Sequence, residues 1–279
     1  MLISKRAKIA STFIGYLSVS VILILVGSLA IKSFTAASTG GFTLRNFRFL
    51  YQEIREIDLI LGVIWPFFLN SSQFTLITSV LDIAVSTMAA YALSRLEFKG
   101  KKIILNTLFL LYAFPAISLL ISIFYVLNFI GLINTMVGVI LVKLSLGIPM
   151  GTYLLKGFFD DVSWELEWSS YVDGCSKFSC FRKILIPCIM PGIFSVFTLA
   201  LLNNWAEFII LASFIYDPEL YPISLYLRTA MGDPSLGGHD THIISAVALV
   251  YILPVLIYFF GAQIIMLKKN TRAGIGKGI

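Results

Sequence analysis

The chain has 279 residues, of which 58% are hydrophobic and only 13% are charged, and its mean hydropathy is +0.91. A soluble domain has about 25% charged residues, so this composition excludes a soluble globular protein and predicts an integral membrane protein. Because charge in membrane proteins first reports topology, the net charge of +6 gives no reason to expect a nucleic-acid partner.

Six apolar segments are long enough to cross a hydrocarbon core about 30 Å thick. The first has about 23 residues, more than the roughly 7–15 of a signal-peptide core, so we expect it to remain as a span. The sequence therefore predicts an all-α membrane protein with six transmembrane helices, in one transmembrane domain over residues 1–279. The spans are expected at about residues 9–31, 71–94, 103–127, 136–155, 190–215 and 243–267.

The distribution of lysine and arginine predicts which ends of the spans face the cytoplasm. The 21 basic residues divide at about three to one between the two sides, with Lys143 inside the fourth span. The richer side holds both termini and residues 157–189, so the positive-inside rule places these in the cytoplasm. Segments 32–70, 128–135 and 216–242 are then external, and the predicted location is the cell (plasma or inner) membrane, which the chain crosses several times.

Residues 157–189 form the longest polar interruption between two predicted spans, and their pattern is too regular for a slack loop. Trp164, Trp168 and Val172 recur every four residues, so they share one face of a helix. Two interpretations of this helix remain open on spacing alone. It could lie in the membrane interface as an anchored amphipathic helix, or it could dock into a soluble partner that moves it mechanically.

Acidic residues and a glycine define the two ends of this helix. Glu165 and Glu167 fall in its first turns, where carboxylates stabilise a helix N-terminus. Asp173 and Gly174 end it, because glycine adopts the left-handed cap conformation at little cost. A basic second segment then leads to Pro187, so the sequence predicts two short helices joined by a glycine turn.

Ionisable groups inside a membrane are costly and are therefore functional candidates. Asp82 lies in the middle of span two, and Lys143 lies in span four. We favour an ion pair between them that fixes helix packing over a role in substrate binding. Prolines also fall within spans, as kinks that membrane helices tolerate or as hinges, and both interpretations stay open. They are Pro115, Pro149 and Pro254.

The segment that ends at Pro187 resembles the signature of permease subunits of binding-protein-dependent ABC importers, in the maltose-type (MalG-like) carbohydrate-uptake class. That signature is Glu-Ala-Ala, then Asp-Gly, then a Leu/Ile-Pro. Here Asp173-Gly174 and Ile186-Pro187 match in place, whereas Trp168-Ser169-Ser170 replaces the Glu-Ala-Ala core. Other strings typical of the class are AYALSRLEFKGKK (90–102), GLINT (131–135), YLLKGFF (153–159), NNWAEF (203–208), DPELYP (217–222) and RAGIGKG (272–278).

This resemblance implies a type I ABC importer permease fold, with a cytoplasmic coupling helix between spans four and five that sits in a cleft of an ATPase subunit. The coupling residues that it implies are Trp164, Glu165, Glu167, Trp168, Asp173, Gly174 and Pro187. The implied partners are a second homologous permease, two cytoplasmic ATPase subunits, an extracytoplasmic sugar-binding protein and the lipid bilayer. ATP and Mg²⁺ would be bound by the ATPases, so we expect no cofactor and no catalytic residue in this chain.

The implied function is import of a carbohydrate, such as an oligosaccharide, by alternating access driven by ATP hydrolysis on the partners. The alternative is an ABC permease for another small solute, such as amino acids, peptides or glycerol phosphates. An enzyme is not expected, because the sequence contains no HExxH, GxSxG or Walker-type glycine loop. A channel is not expected either, because no pore loop or ring of charge is visible in the sequence.

A sugar pathway needs aromatic faces for ring C–H groups and amide or carboxylate groups for hydroxyls. The string NNWAEF in span five offers both, and its candidates are Asn203, Asn204, Trp205 and Glu207. Hydrogen bonding between helices is an equal alternative for Glu207, and the companion permease could hold the main site.

The histidines and cysteines predict no metal site. His239, Asp240 and His242 lie in a Gly-rich external loop, where two histidines and one carboxylate are usually solvated polar residues. The three cysteines fall in or beside the predicted coupling region, on the cytoplasmic side, so we expect free thiols and no disulfides. They are Cys175, Cys180 and Cys188.

Overall fold

The computed structural model describes residues 5–37, 40–56, 59–232 and 240–274. Within these ranges the chain is almost entirely helical, and the one sheet is a short antiparallel hairpin. Its strands are β1 (Ile54–Glu56) and β2 (Leu59–Leu61). The helices are α1 (Lys5–Ser33), α2 (Trp65–Arg95), α3 (Lys101–Ala113), α4 (Leu120–Phe129), α5 (Met136–Asp160), α6 (Trp164–Val172), α7 (Lys177–Cys180), α8 (Ile186–Trp205), α9 (Ile209–Phe214), α10 (Ile223–Met231) and α11 (Thr241–Gly274).

Four helical stretches in the described ranges are long and apolar enough to cross a membrane: Trp65–Arg95, Met136–Asp160, Lys177–Trp205 and Thr241–Gly261. The bent pair of α3 and α4 makes a fifth if it is one span. These stretches confirm a predominantly helical membrane protein with several spans. The first predicted span coincides with α1, whose described apolar part covers only Val19–Ser33, so the number of six spans stays a prediction.

The third predicted span, at 103–127, is not one continuous helix. α3 ends at Ala113, helical structure resumes at Ala116, and the two halves meet at an angle of 93°. Pro115 explains the break, because it has no N–H to offer the helix and its ring forces the preceding residue out of the α region. Phe114 accordingly is extended, with φ −79° and ψ 132°. Pro115 therefore interrupts the span instead of only bending it.

The helix that contains most of the fifth predicted span, at 190–215, begins before residue 190. Its helical stretch begins at Lys177 and ends at Trp205, and α9 follows as a separate short helix. The bounds of the membrane-crossing part stay a prediction, because the first turns of this helical stretch carry Lys177, Arg182 and Lys183. Pro187 does not end this helical stretch, although proline has no N–H to donate to a carbonyl of the preceding turn. That preceding turn is a wider π-helical turn (Phe181–Leu185), which accommodates the unbonded carbonyl.

The chain divides into two compact units. The single transmembrane domain over residues 1–279 stays a prediction. Unit 1 comprises Met1–Trp65 and Tyr226–Pro254, and unit 2 comprises Pro66–Leu225 and Val255–Ile279. The boundaries between them fall at or inside α2, α10 and α11. Each unit has its own buried hydrophobic residues.

Unit 1 is held together by side chains that donate to backbone carbonyls. The Asn46 amide donates to Ser33 O (2.9 Å) and to Thr35 O (2.8 Å), and these bonds close the C-terminal end of α1. The Tyr226 hydroxyl donates to Gly62 O at 2.7 Å, and burial raises the pKa of Tyr226 above its ordinary value. Such bonds stabilise the unit because a buried carbonyl without a donor is costly.

The core of unit 2 forms where α5 packs against α3 and α8. One buried cluster surrounds Phe159 and Leu185 near α6, and another surrounds Phe214 and the N-terminal half of α5. Gly192 on α8 lies directly against the ring of Phe158, so a Cβ at this position would overlap the ring. The absence of a side chain at Gly192 therefore lets α8 approach α5 closely.

We expect Gly192→Ala to destabilise the protein, since the added methyl group overpacks the α5–α8 contact at a cost of about 1–3 kcal/mol. Gly157→Ala on α5 is the matched control, because its Cβ would enter open space and alanine favours a helix by about 1 kcal/mol. Thermal unfolding of the two purified variants in detergent measures the difference. Equal midpoints would contradict the close approach of the two helices.

Candidate functional site

The segment after α5 folds as the sequence predicts, into two short helices joined by a glycine turn. α6 begins after Ser163, whose hydroxyl accepts the N–H of Glu165 at 3.2 Å. It ends before Gly174, which has the left-handed φ of +83°. In this conformation Gly174 N–H donates to Tyr171 O at 3.1 Å, so the last turn of α6 is capped by the backbone itself.

The outer face of α6 is apolar and exposed. Trp164 and Trp168 lie side by side on it, with ring centres 6.5 Å apart. Trp168 is 62% exposed and Val172 is 87% exposed, although both have large apolar side chains. Exposed apolar patches of this kind mark surfaces that contact another protein or a membrane.

The inner face of α6 carries a buried carboxylate. Glu167 forms an ion pair with Arg95, the last residue of α2, in which Nε and Oε1 are 2.6 Å apart and each side chain is only 2% exposed. The Tyr171 hydroxyl donates to the other oxygen of Glu167 at 3.3 Å. Burial, together with the nearby Tyr91 and Glu167, raises the pKa of Tyr171 to about 12, so this phenol stays protonated and remains a donor.

Arg95 connects three parts of the chain. Its Nη2 donates to the carbonyls of Phe159 (2.7 Å) and Val162 (2.5 Å), at the end of α5 and in the turn that follows. Its guanidinium carbon lies 4.4 Å from the centre of the Trp164 ring, within the range of a cation–π contact. One buried cation therefore joins α6 to the ends of both α2 and α5.

The surroundings of this cation are aromatic. The rings of Tyr91 and Phe181 are 4.6 Å apart, and Phe159 stacks on Phe181 at 6.3 Å. In such a low-dielectric environment a satisfied polar network is strong, whereas an unpaired charge is costly. The ion pair and the aromatic core beneath it thus hold α6 in one position within unit 2.

A second candidate site is a cavity of about 440 Å³ in unit 2, between α5, α8 and the break that separates α3 from α4. Its walls are mostly apolar. The side chains of acidic and basic type that line it are Asp82, Lys143 and Glu207, and the polar residues Tyr112 and Asn203 line it as well. Cavities of this size, with a few convergent polar groups on apolar walls, are typical of sites for small molecules.

The ion pair expected between Asp82 and Lys143 is not the one that forms. Lys143 Nζ contacts Glu207 Oε2 instead. Glu207 is in reach because α8 ends before it, and its Oε1 accepts the N–H of Ile210 at 3.1 Å, in the first turn of α9. Asp82 accepts a hydrogen bond from Ser86, one turn further along α2, at 3.0 Å.

The other candidate residues of NNWAEF, Asn203, Asn204 and Trp205, differ in whether they line the cavity. Asn203 and Asn204 both line the cavity. Asn204 is nevertheless buried, and its amide donates to Ser79 Oγ at 2.9 Å, which is a bond between α8 and α2. Trp205 does not line the cavity, because it is buried edge-on against Phe68. The predicted aromatic face for a sugar is therefore not supplied by Trp205.

The histidines of the predicted external loop lie partly outside the described residues, since His239 is not among them. His242 Nδ1 is 2.9 Å from Lys32 O within unit 1, and Asp240 accepts the N–H of His242 at 2.8 Å. The described ranges contain no group of three or more histidine, cysteine or carboxylate side chains that could hold a metal ion. The three cysteines are free thiols, as predicted.

Known proteins similar to this chain define its family. Residues 82–269 match the family described as binding-protein-dependent transport system inner membrane component. The chain belongs to this family. The sulfoquinovosyl glycerol transport system permease of Agrobacterium fabrum is 30% identical, over 76% of this chain and 72% of its own length. The trehalose transport system permease of Mycobacterium tuberculosis is 29% identical, over 75% of this chain and 74% of its own length.

A solved structure shares the fold of this permease. It is a bacterial alginate ABC transporter in complex with an alginate pentasaccharide-bound periplasmic protein. The TM-score is 0.66 at 16% identity, and the match covers 92% of this chain and 91% of the other. The family match over residues 82–269 and the sugar-transport permeases among the relatives confirm the resemblance seen in the sequence motifs.

Two residues that lie in the sites of this permease are not evident from its sequence alone. Arg95 is part of a matched string, but its burial beneath α6 is not visible there. The sequence feature that could have predicted this pair is a cation at the end of an apolar helix, together with Glu167 on the inner face of an amphipathic helix. Tyr112 lines the cavity because it lies just before the helix break at Pro115. Pro115 is therefore the sequence feature that could have indicated a role for Tyr112.

We expect Glu167→Gln to destabilise this permease by about 3–5 kcal/mol, because it leaves Arg95 buried without its counter-charge. Glu165→Gln is the matched control, since Glu165 is exposed in the first turn and its charge contributes only about 0.3–1 kcal/mol there. Thermal unfolding in detergent measures both, and limited proteolysis of residues 161–176 reports whether α6 detaches. Similar losses in the two variants would rule out a special role for the buried pair.

Proposed function

We propose that this chain is the membrane-spanning permease subunit of an ABC importer that takes up a carbohydrate by alternating access. The observation that carries the proposal is α6, whose exposed apolar face is held from the inside by the buried Arg95–Glu167 ion pair. Family membership supports the transport role. The sugars in the names of the relatives support a carbohydrate over amino acids, peptides or glycerol phosphates.

The role proposed for α6 is to receive force from a soluble ATPase. Large exposed aromatic residues such as Trp168 suit this role, because tryptophan commonly anchors protein interfaces. Transmission also requires stiffness, since a flexible loop would absorb the displacement. Arg95 supports that stiffness by bonding α6 to the ends of α2 and α5. In this arrangement Trp164, Trp168 and Glu165 face the partner, and Glu167 serves as the internal anchor.

The proposed topology has six spans, with both termini and α6 in the cytoplasm. The spans are α1, α2, the interrupted α3–α4 pair, α5, the continuous α7–α8 stretch and α11. This order leaves α6 between the fourth and fifth spans. The bias of lysine and arginine toward the same side supports its cytoplasmic position, where ATP is available.

The proposed assembly contains a second homologous permease, two cytoplasmic ATPase subunits and an extracytoplasmic sugar-binding protein. The alginate transporter, which was solved with its periplasmic protein, supports such an arrangement. ATP and Mg²⁺ are assigned to the ATPase subunits, since this sequence has no Walker-type glycine loop. The chain then contributes moving helices and no catalytic residue, and alternating access is a rigid-body movement of one bundle against the other.

We expect Trp168→Ala to reduce ATPase stimulation by the loaded sugar-binding protein by at least about tenfold, because the substitution removes an interface anchor. Phe129→Ala, at the end of α4, is the matched control, because Phe129 is 90% exposed and lies outside α6. The measurement uses the complete transporter in proteoliposomes, with co-purification of the ATPase subunits as a check on assembly. Full stimulation in Trp168→Ala would remove α6 from the force pathway.

A further inference from the structure

The cavity in unit 2 contains a carboxylate that the surrounding helices satisfy only in part. Asp82 is 7% exposed, and its Oδ1 accepts the Ser86 hydroxyl. Its Oδ2 lies over Gly147, where none of the described residues donates a hydrogen bond to it. A carboxylate at membrane depth is costly, so an incompletely bonded one points to a partner that arrives from elsewhere. Because Asp82 lines the cavity, that partner comes through the cavity.

The cation in this cavity is already neutralised. Lys143 is paired with Glu207, and the N–H of Ile210 holds the carboxylate of Glu207 in place. An ionised Asp82 gives the cavity an excess of one negative charge, and a protonated Asp82 gives it none. In neither state is a cation free to attract an anionic ligand. Repulsion between like charges is strong in a site of low dielectric constant, so an anion is disfavoured.

The break between α3 and α4 gives the cavity an aromatic face. Tyr112, in the last turn of α3, lines the cavity and is 53% exposed. The helix stops at Ala113, and its last turn is closed by the Phe114 N–H, which donates to Leu111 O at 3.3 Å. Interrupted helices are tolerated at membrane depth where they line a cavity, and in transporters they commonly form the binding site.

We propose that this cavity is a cargo subsite on this subunit for an uncharged, hydroxyl-rich molecule such as a neutral sugar, and that it disfavours anionic sugars. Tyr112 supplies the stacking face, and Asp82 and Asn203 supply hydrogen-bonding groups for hydroxyls. The pair of Lys143 and Glu207 keeps the lysine from attracting anions. The inference rests on the proposed transport function and adds a charge selectivity to it.

Labelling of the complete purified transporter with a maleimide tests this subsite. Ala200, which lines the cavity, is replaced by cysteine after the accessible Cys175 and Cys188 have been replaced by serine. The labelling rate is measured without sugar, with trehalose or maltotriose as neutral probes, and with a glucuronic acid disaccharide as the anionic probe. We expect millimolar neutral probes to slow labelling at least about threefold through occupancy, and the anionic probe to leave it unchanged.

Variants of the cavity separate charge selectivity from packing. Asp82→Asn removes one negative charge from the cavity. Adding Glu207→Gln to it removes the partner of Lys143, so the double variant should bind the anionic probe with about tenfold higher apparent affinity. Asp82→Asn alone provides the test if the double variant does not assemble. Tyr112→Ala should weaken protection by the neutral probes. Tyr125→Ala on α4 is its matched control, because this tyrosine is 67% exposed and does not line the cavity.

Equal protection by neutral and anionic probes in the unmodified cavity would overturn the proposal, and so would equal effects of Tyr112→Ala and Tyr125→Ala. Failure of every neutral probe to protect would overturn it as well. Those results would leave the coupling role of α6 intact, because that role is measured separately by the ATPase response of Trp168→Ala. Protection by neutral probes together with full ATPase stimulation in Trp168→Ala would refute the coupling role and retain the subsite.

Discussion

The buried ion pair between Arg95 and Glu167 is the constraint on which the α6 region depends. Both side chains are almost fully buried, so either charge alone would be costly, and the pair persists only while α2, α5 and α6 keep their positions. The same guanidinium bonds the carbonyls of Phe159 and Val162, so one side chain holds three helix ends together. The coupling role proposed for α6 requires such a stiff end.

The same dielectric argument explains the contrast between α6 and the cavity. Beneath α6 the cation and the carboxylate face each other as an ion pair, with Nε and Oε1 2.6 Å apart. In the cavity Lys143 and Glu207 also satisfy each other, but Asp82 keeps one oxygen without a donor from the described residues. A buried charge that is paired within the fold serves the structure, whereas one that is incompletely paired and lines a cavity is placed to meet a ligand.

Local features of this chain could be read from its residues. Apolar runs of spanning length coincide with α2, α5 and α11, because a hydrocarbon core demands a minimum length of apolar helix. The helix after α5 and the turn at Gly174 were also predictable, since spacing and glycine conformation act over a few neighbouring residues. The motif strings pointed to the family for the same reason, because they are contiguous.

Contacts between residues far apart in the sequence could not be predicted from local sequence patterns. Two carboxylates, Asp82 and Glu207, were possible partners for Lys143. Lys143 pairs with Glu207 because α8 ends at Trp205, and the position of that helix end depends on where α8 starts and how it packs. Arg95 likewise met Glu167 only after α2, α5 and α6 had come together. Sequence by itself determined the membrane class, most spans, the α6 helix and the family. Tertiary structure decided which charges pair and which line a cavity, because in a low-dielectric interior pairing follows distance, and distance is set by helix packing.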